Sequence, residues 1–333
     1  MKTLDLVRPE IRFLKPYSAE HAGPGIRLDA NESPFDPPEE ILNRIAEEAR
    51  RIHLNRYPDA GATRLKERIA DFIQVGPDRI MVGNGSDELI GYLITAFTGE
   101  GHGVLFPTPT FSMYGIIAAS LGQPVIPVPL DENFRIQPDR FIQTIHERRP
   151  QIIFLASPNN PTGNLFPEKV VRSILEEAGG LVVLDEAYIR FSDSPGFLNL
   201  LQEFPRLVIL RTLSKIGMAA LRVGMLVANP DVLIHLEKVR LPYNVNSFSQ
   251  SAASILLEYL DVLKSRSREI ISERERMTRK IEQIPEIQLF PSRANFLLFR
   301  TDASGELFRN LLSAGIFVRN LDQPGALQGC LRV

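Results

Sequence analysis

The sequence predicts an α/β protein: a large domain with a mostly parallel, seven-stranded sheet between helices, followed by a small α+β domain. Seven short apolar runs alternate with helical stretches from Ile80 to Ala228. Those runs are continuously apolar, as strands covered on both faces must be. Beyond Asn229-Pro230 the alternation gives way to a long helical stretch and then short mixed elements.

The first 58 residues hold seven prolines and little apolar periodicity. They read as an extended arm and loops, with one helix near Pro38 to Ile52. A second helix is expected from Gly61 to Phe72, where Thr63, Leu65, Ile69 and Phe72 suggest an amphipathic face. Strands follow at Ile80 to Val82, Val104 to Phe106, Pro124 to Val128, Ile152 to Ala156, Leu181 to Leu184, Leu207 to Leu210 and Val223 to Ala228. Helices between them cover Asp87 to Phe97, Met113 to Ser120, Pro138 to Glu147 and Pro167 to Glu177. Ser249 to Ile284 reads as helical with a break near Asp261. Strands at Ile287 to Leu289, Asn295 to Phe299, Ile316 to Arg319 and Cys330 to Val333, with a helix at Ser304 to Ala314, complete the small domain. The boundaries are an arm over 1–30, a large domain over 31–235 and a small domain over 236–333.

At 333 residues, with 44% apolar and 23% charged side chains, the chain has the composition of a globular protein with a substantial core. A net charge of −2 offers no field for nucleic acid or an anionic membrane. The arginine-rich run Lys264 to Lys280 is interleaved with Glu269, Glu273 and Glu275 and reads as a solvated helix face. No apolar run approaches a membrane span, and the N-terminus lacks a signal-peptide core. Cys330 is the only cysteine, which suits a reducing, cytoplasmic setting. The five histidines, His21, His53, His102, His146 and His235, show no metal-ligand spacing, so no metal site is expected.

Three segments carry the chemistry. Ser157-Pro158-Asn159-Asn160-Pro161-Thr162-Gly163 is a polar loop after one strand, Asp185-Glu186-Ala187-Tyr188 ends a second, and Thr212-Leu213-Ser214-Lys215 ends a third, with Arg222 just beyond. Ligands of such sheets bind beyond the carboxyl ends of the strands, where all three fall. Together they supply what a pyridoxal phosphate site needs: an amine, a carboxylate for the ring nitrogen, and donors for a phosphate. Lys215 is the nucleophile candidate, since partial desolvation among cations frees a lysine's amine to attack a carbonyl. Asp185 needs a partner at the end of a buried strand, either a protonated ring nitrogen or an internal cap or ion pair. Tyr188 either reaches the cofactor's phenolic oxygen or packs. Asn160 either donates to that oxygen or serves a turn. Gly85, Ser86 and Asp87 open a helix whose amides suit a phosphate, or simply form its cap. Ser214 and Arg222 would complete the cradle. Phe111 either stacks on a ring or belongs to the core.

The chain resembles the histidinol-phosphate aminotransferases, fold-type I pyridoxal phosphate enzymes, over nearly its whole length. The likeness runs through Asp29-Ala30-Asn31-Glu32-Ser33-Pro34, Asn55-Arg56-Tyr57-Pro58, Gly85-Ser86-Asp87-Glu88, the three segments above and Gly329-Cys330-Leu331-Arg332. The resemblance implies Lys215 as the Schiff-base lysine, Asp185 at the pyridine nitrogen, and Asn160 and Tyr188 at O3′. Gly85, Ser86, Thr212, Ser214 and Arg222 would surround the phosphate, joined by Tyr57 from the second subunit of a homodimer. Arg332, with Arg319, would bind the phosphate of histidinol phosphate, and Arg332 the α-carboxylate of glutamate. Tyr17 matches a tyrosine of the arm that closes over substrate. The expected reaction converts histidinol phosphate and 2-oxoglutarate to imidazole acetol phosphate and glutamate. Its rivals are aromatic amino-acid transamination, threonine-phosphate decarboxylation, and an idle homologue that only binds. The Lys215–Arg222 interval is one residue shorter than in most relatives, and Phe111 stands where tyrosine is usual. The end at Val333 reads as a truncation that leaves Arg332 on a weakly held terminus.

Overall fold

Successive residues of a strand face opposite ways, and here both faces are apolar, so the central sheet has to be covered twice. The computed structural model describes residues 6–12, 14, 24–99 and 101–333. Tyr17 and His21 lie outside them.

The helix α1 (Pro9–Arg12), the short strand β1 (Ile26–Arg27), α2 (Glu39–Ala49) and α3 (Thr63–Ile73) precede the sheet. The Asp59 carboxylate accepts from the Gly61 and Thr63 amides and so caps the start of α3. The buried face of α3 is Leu65, Ile69, Ala70 and Ile73. Leu65 and Ile69 are buried as expected, whereas Thr63, in the capped first turn, is exposed and Phe72 is only half-buried.

The sheet consists of β2 (Ile80–Asn84), β3 (Val104–Thr108), β4 (Val125–Pro129), β5 (Ile152–Ala156), β6 (Leu181–Asp185), β7 (Leu207–Thr212) and β8 (Val223–Ala228). Between them run α4 (Ser86–Phe97), α5 (Met113–Ser120), α6 (Pro138–Arg148) and α7 (Glu168–Glu177). Strand order is β2-β8-β7-β6-β5-β3-β4, parallel throughout except for β8, which is antiparallel to both neighbours. Leu181 and Val183 of β6 join Leu89, Leu93, Tyr114 and Leu233 in one core layer. Val182 and Leu184 join Ile69, Phe141 and Ile174 in the other. Fully burying each such side chain stabilises by about 1.5–3 kcal/mol.

After β8 come α8 (Pro230–Leu236), α9 (Ser247–Leu256) and α10 (Leu260–Ile281). The helix α8 is absent from the sequence expectations, although its Asn229 cap and Pro230 were visible; the Asn229 side chain accepts from the Asp231 amide at 3.0 Å. The break before α10 falls between Leu256 and Leu260, just ahead of Asp261.

The last part holds β9 (Gln288–Phe290), β10 (Leu298–Arg300), α11 (Ser304–Ser313), β11 (Ile316–Phe317), β12 (Arg319–Asn320) and β13 (Cys330–Arg332). The single strand expected over Ile316 to Arg319 is two. Ile316 and Phe317 pair with Ile26 and Arg27, whereas Arg319 and Asn320 pair with β13. The N-terminal segment takes the first edge, so the chain changes partner at Val318. Arg332 is also better held than expected. The fully buried β13 lies between β12 and β10, and Val333 exchanges two backbone hydrogen bonds with Leu297.

Arg274 ties these layers together: its guanidinium is buried in α10 and donates to the Phe191 and Ala294 carbonyls at 2.8 and 2.9 Å. Arg274→Leu strands both acceptors, at about 1–3 kcal/mol each. Chemical denaturation should show a correspondingly lower unfolding midpoint, and an unchanged midpoint would mean that the two bonds carry no net stability.

Candidate functional site

Because β8 runs against its neighbours, its amino end lies beside the carboxyl ends of β2, β7, β6 and β5. That single reversal brings Arg222 to the edge where the other candidate residues sit.

Thr212 ends β7, and Ser214 to Ile216 form a tight turn carrying Lys215. The Thr212 hydroxyl donates to Ser214 Oγ at 3.0 Å and accepts the Ser214 amide at 3.1 Å. Arg222, with φ 53°, donates from Nη1 to Ser214 Oγ at 3.3 Å. Its Nη2 lies 3.9 Å from Asp87 Oδ2. Gly85 (φ 83°) precedes α4, and a Cβ there would come within 2.7 Å of Arg222 Nη2. A Cβ on Gly224 would strike the Gly85–Ser86 backbone at 2.5 Å. Gly224 is therefore required by the close approach of the β2–α4 turn to β8, and Gly85 by its positive φ. Asp87 is held above its ordinary pKa by burial, which outweighs the opposing charges of Arg222 and Lys215.

Asp185 is buried at the end of β6. Tyr114 Oη donates to Oδ2 at 2.7 Å and the Ala187 amide to Oδ1 at 3.0 Å. Among the described residues no cation lies within ion-pair distance of it. Burial raises its pKa to about 6 despite those two bonds. Tyr114 is stacked on Phe154 with centroids 4.6 Å apart, and burial pushes its phenol far above the usual range, so it remains a donor. Phe111 stands edge-on to Tyr114 at 5.5 Å. The next acid, Glu186, is equally buried but has its cation: Arg211 Nη2 is 2.6 Å away, and the Phe197 amide donates to it at 2.6 Å.

Lys215 Nζ donates to the Ala30 carbonyl at 3.1 Å and sits 5.9 Å from the Tyr188 ring centroid. Tyr188 Oη accepts from Asn31 Nδ2 at 3.0 Å and, at 3.5 Å, from Asn160 Nδ2. Asn160 Oδ1 in turn accepts from Arg332 Nη1 at 2.6 Å, and Arg332 Nη2 donates to the Asp29 carbonyl at 2.6 Å. Asn295 Nδ2 reaches the Asn31 carbonyl at 3.0 Å. Arg319 is half-buried on β12, in register with Arg332.

Lys215, Asn160, Tyr188 and Arg332 thus form one contact network, Ser214, Thr212, Arg222, Gly85 and Asp87 another, and Asp185 with Tyr114 and Phe111 a third. Tyr57 makes its contact elsewhere: it is 80% exposed and stacked on Tyr243 at 4.4 Å. Sequence reasoning missed Tyr114, the Glu186–Arg211 pair, Asn295 and the part of residues 29–31 in holding Lys215, Tyr188 and Arg332. Tyr114 sits one helical turn after Phe111, and that spacing was its only signal.

The site fits pyridoxal phosphate. A buried carboxylate without a cation suits a protonated ring nitrogen. The glycine-opened start of α4, with Ser214 and Arg222, suits a phosphate.

The family model described as aminotransferase class I and II matches residues 24–333. Histidinol-phosphate aminotransferase 2 of Nitrosococcus oceani is 43% identical over 331 residues, 98% of this chain and 92% of that protein. The histidinol-phosphate aminotransferase of Aquifex aeolicus is 43% identical over 98% of this chain and 93% of its own length. The crystal structure of the Sinorhizobium meliloti histidinol-phosphate aminotransferase in complex with pyridoxal-5'-phosphate superposes with a TM-score of 0.87. It has 25% identity and covers 98% of this chain and 92% of that one.

The Asp185 carboxyl makes stability depend on pH. Below about pH 4 it is protonated folded or unfolded and contributes nothing; as pH rises through about 6 the folded state alone resists ionisation. The shift from 3.8 to about 6 corresponds to a penalty of about 3 kcal/mol, complete above the folded value. In cofactor-free protein, Asp185→Asn should therefore exceed wild type in stability at pH 8, with the gain fading toward pH 4. Urea titrations at several pH values test this, and a gain independent of pH would clear Asp185 of the effect.

Proposed function

The chain belongs to the class I and II aminotransferases, and we propose that it moves the amino group of histidinol phosphate to 2-oxoglutarate, giving imidazole acetol phosphate and glutamate. The observation that carries this reading is the convergence of Lys215, the uncompensated Asp185 and the Ser214–Arg222 cradle on one sheet edge, with Arg332 and Arg319 beside it. Relatives carrying the histidinol-phosphate name at 43% identity support the substrate.

Pyridoxal phosphate, when bound, supplies a carbonyl carbon for the substrate's amine and a ring that withdraws electrons from the α-carbon. Ser214, Thr212, Arg222, Ser86 and the amides of Gly85 to Asp87 would hold its phosphate. Asn160 and Tyr188 would hold its phenolic oxygen, and Phe111 would face its ring. Asp185 would hold the ring nitrogen's proton in place through its carboxylate, which Tyr114 fixes in orientation. Once released from the Ala30 carbonyl, Lys215 Nζ is free to take the proton from the substrate's α-carbon and to return one. Arg332 and Arg319 would grip the substrate phosphate, whose double charge suits two planar guanidinium groups, and Arg332 the α-carboxylate of glutamate.

The same reading has the enzyme working as a cytoplasmic homodimer, with an arm over 1–30, a large domain over 31–235 and a small domain over 236–333. Tyr57, Leu54, Leu241, Tyr243 and Phe248 are large, exposed and apolar or aromatic, which favours a second copy covering them. Tyr57 would then be donated to the partner's phosphate site, and Tyr17 would close over substrate.

Lys215→Ala is expected to abolish transamination while the protein still folds, and borohydride reduction of the loaded wild type should label Lys215. Label on another lysine would overturn the assignment. Rates measured side by side should favour histidinol phosphate over phenylalanine and threonine phosphate.

Mixing inactive Tyr57→Ala and Lys215→Ala proteins should restore part of the activity, because a hybrid dimer keeps one intact shared site. No recovery despite demonstrated subunit exchange would rule out the shared site.

A further inference from the structure

The helix α10 packs against the turns Ile189–Phe191 and Ser214–Ile216 and leaves a cavity of about 130 Å³ between them. That is room for several waters or a small organic anion. Arg190, Lys264 and Arg268 line it, with Ser267 as a hydroxyl donor and Ile216 and Leu263 among its apolar walls. Lys264, Ser267 and Arg268 are spaced three and four apart, so one face of α10 delivers all three.

The charge is one-sided. No carboxylate lines the cavity. Arg190 lies over the Phe72 ring at 4.2 Å. Partial desolvation against its neighbours, and then the charge of Arg211, lower its pKa although the residue is exposed to solvent. Neither Arg190 nor Arg268 has an acidic partner among the described residues. Lys264 has only a 3.9 Å approach from Asp261, which is fully solvent-exposed. Other cations of this protein behave otherwise: Arg211, Arg172 and Arg240 each hold a carboxylate at 2.6–2.8 Å. Three cations line one cavity that no carboxylate faces, a lining whose charge complements an anion.

We propose that this cavity is a second anion-binding site, separate from the substrate arginines, that takes a small multivalent oxyanion such as a phosphate ester or a polycarboxylate. Its ligand bridges α10 to the turns that follow Tyr188 and carry Lys215, since Arg190 and Ile216 belong to those turns. Occupancy thereby stiffens the mounting of the active lysine from behind.

Calorimetric titration of the cofactor-loaded enzyme with inorganic phosphate, and separately with citrate, tests this at an ionic strength held constant with chloride. Wild type should show two classes of phosphate site. Arg268→Gln should weaken one class by at least about tenfold, and Arg190→Gln with Arg268→Gln should abolish it, while the other class stays unchanged. Tighter binding of phosphate assigns the site to phosphate esters, and tighter binding of citrate to polycarboxylates. Arg268 is exposed, so its variant should melt at the wild-type temperature. Two undiminished phosphate classes in that variant would overturn the proposal.

Discussion

The fold is organised around a carboxylate it does not neutralise. Asp185 and Glu186 are neighbours at the end of the same strand, and both are almost wholly buried. Strand alternation sends them to opposite faces of the sheet. Glu186 meets Arg211 and the Phe197 amide; burial still raises its pKa, but it has a cation and becomes a structural pair. Asp185 meets a phenol and one amide, enough to orient it and too little to offset its burial. A buried charge left in that state costs stability. The surrounding packing, Tyr114 flat on Phe154 and Leu184 beneath, supports it without relieving it. The contrast between the two acids marks which one is reserved for a ligand.

Around that point the sheet's topology does the assembling. A strictly parallel sheet would place the residue preceding β8 at the far edge, some five residues of strand away. The reversed β8 returns Arg222 to the near edge, and the bare α-carbons of Gly224 and Gly85 let the α4 turn close on it. Across the seven-residue step from Lys215, Arg222 adopts a left-handed backbone and reaches Ser214. The interval was read against the resembling family, and such spacing cannot foresee a change of backbone hand.

What could be read from the sequence follows from what is local. The seven strands and four intervening helices announce themselves through apolar runs and breakers, and their limits shift by only a few residues. Lys215, Asp185, Asn160 and Arg222 were visible because each sits at or close to the end of an apolar strand run. Tyr114 was not, since a tyrosine inside an apolar helix looks like core until its hydroxyl is seen against Asp185. Nor was the split of residues 316–320 between two sheets, because it depends on Ile26 and Arg27, nearly three hundred positions away. Asn31 and Asn295 illustrate the same limit: their partners are set by tertiary approach, and no motif records it.

The segment from Ile26 to Asn31 has a mechanical consequence. Its first two residues are a strand of the terminal part, paired with Ile316 and Phe317. Its last three offer a carbonyl to Arg332, a carbonyl to Lys215 and an amide to Tyr188. It therefore works as a pull-cord running from the periphery to the lysine. Any rotation of the terminal sheet against the central one is transmitted along a handful of peptide bonds to the oxygen that restrains the Lys215 amine. Under the role proposed for Arg332, a substrate anion would compete with the Asp29 carbonyl for its guanidinium, one residue from the carbonyl that holds Lys215.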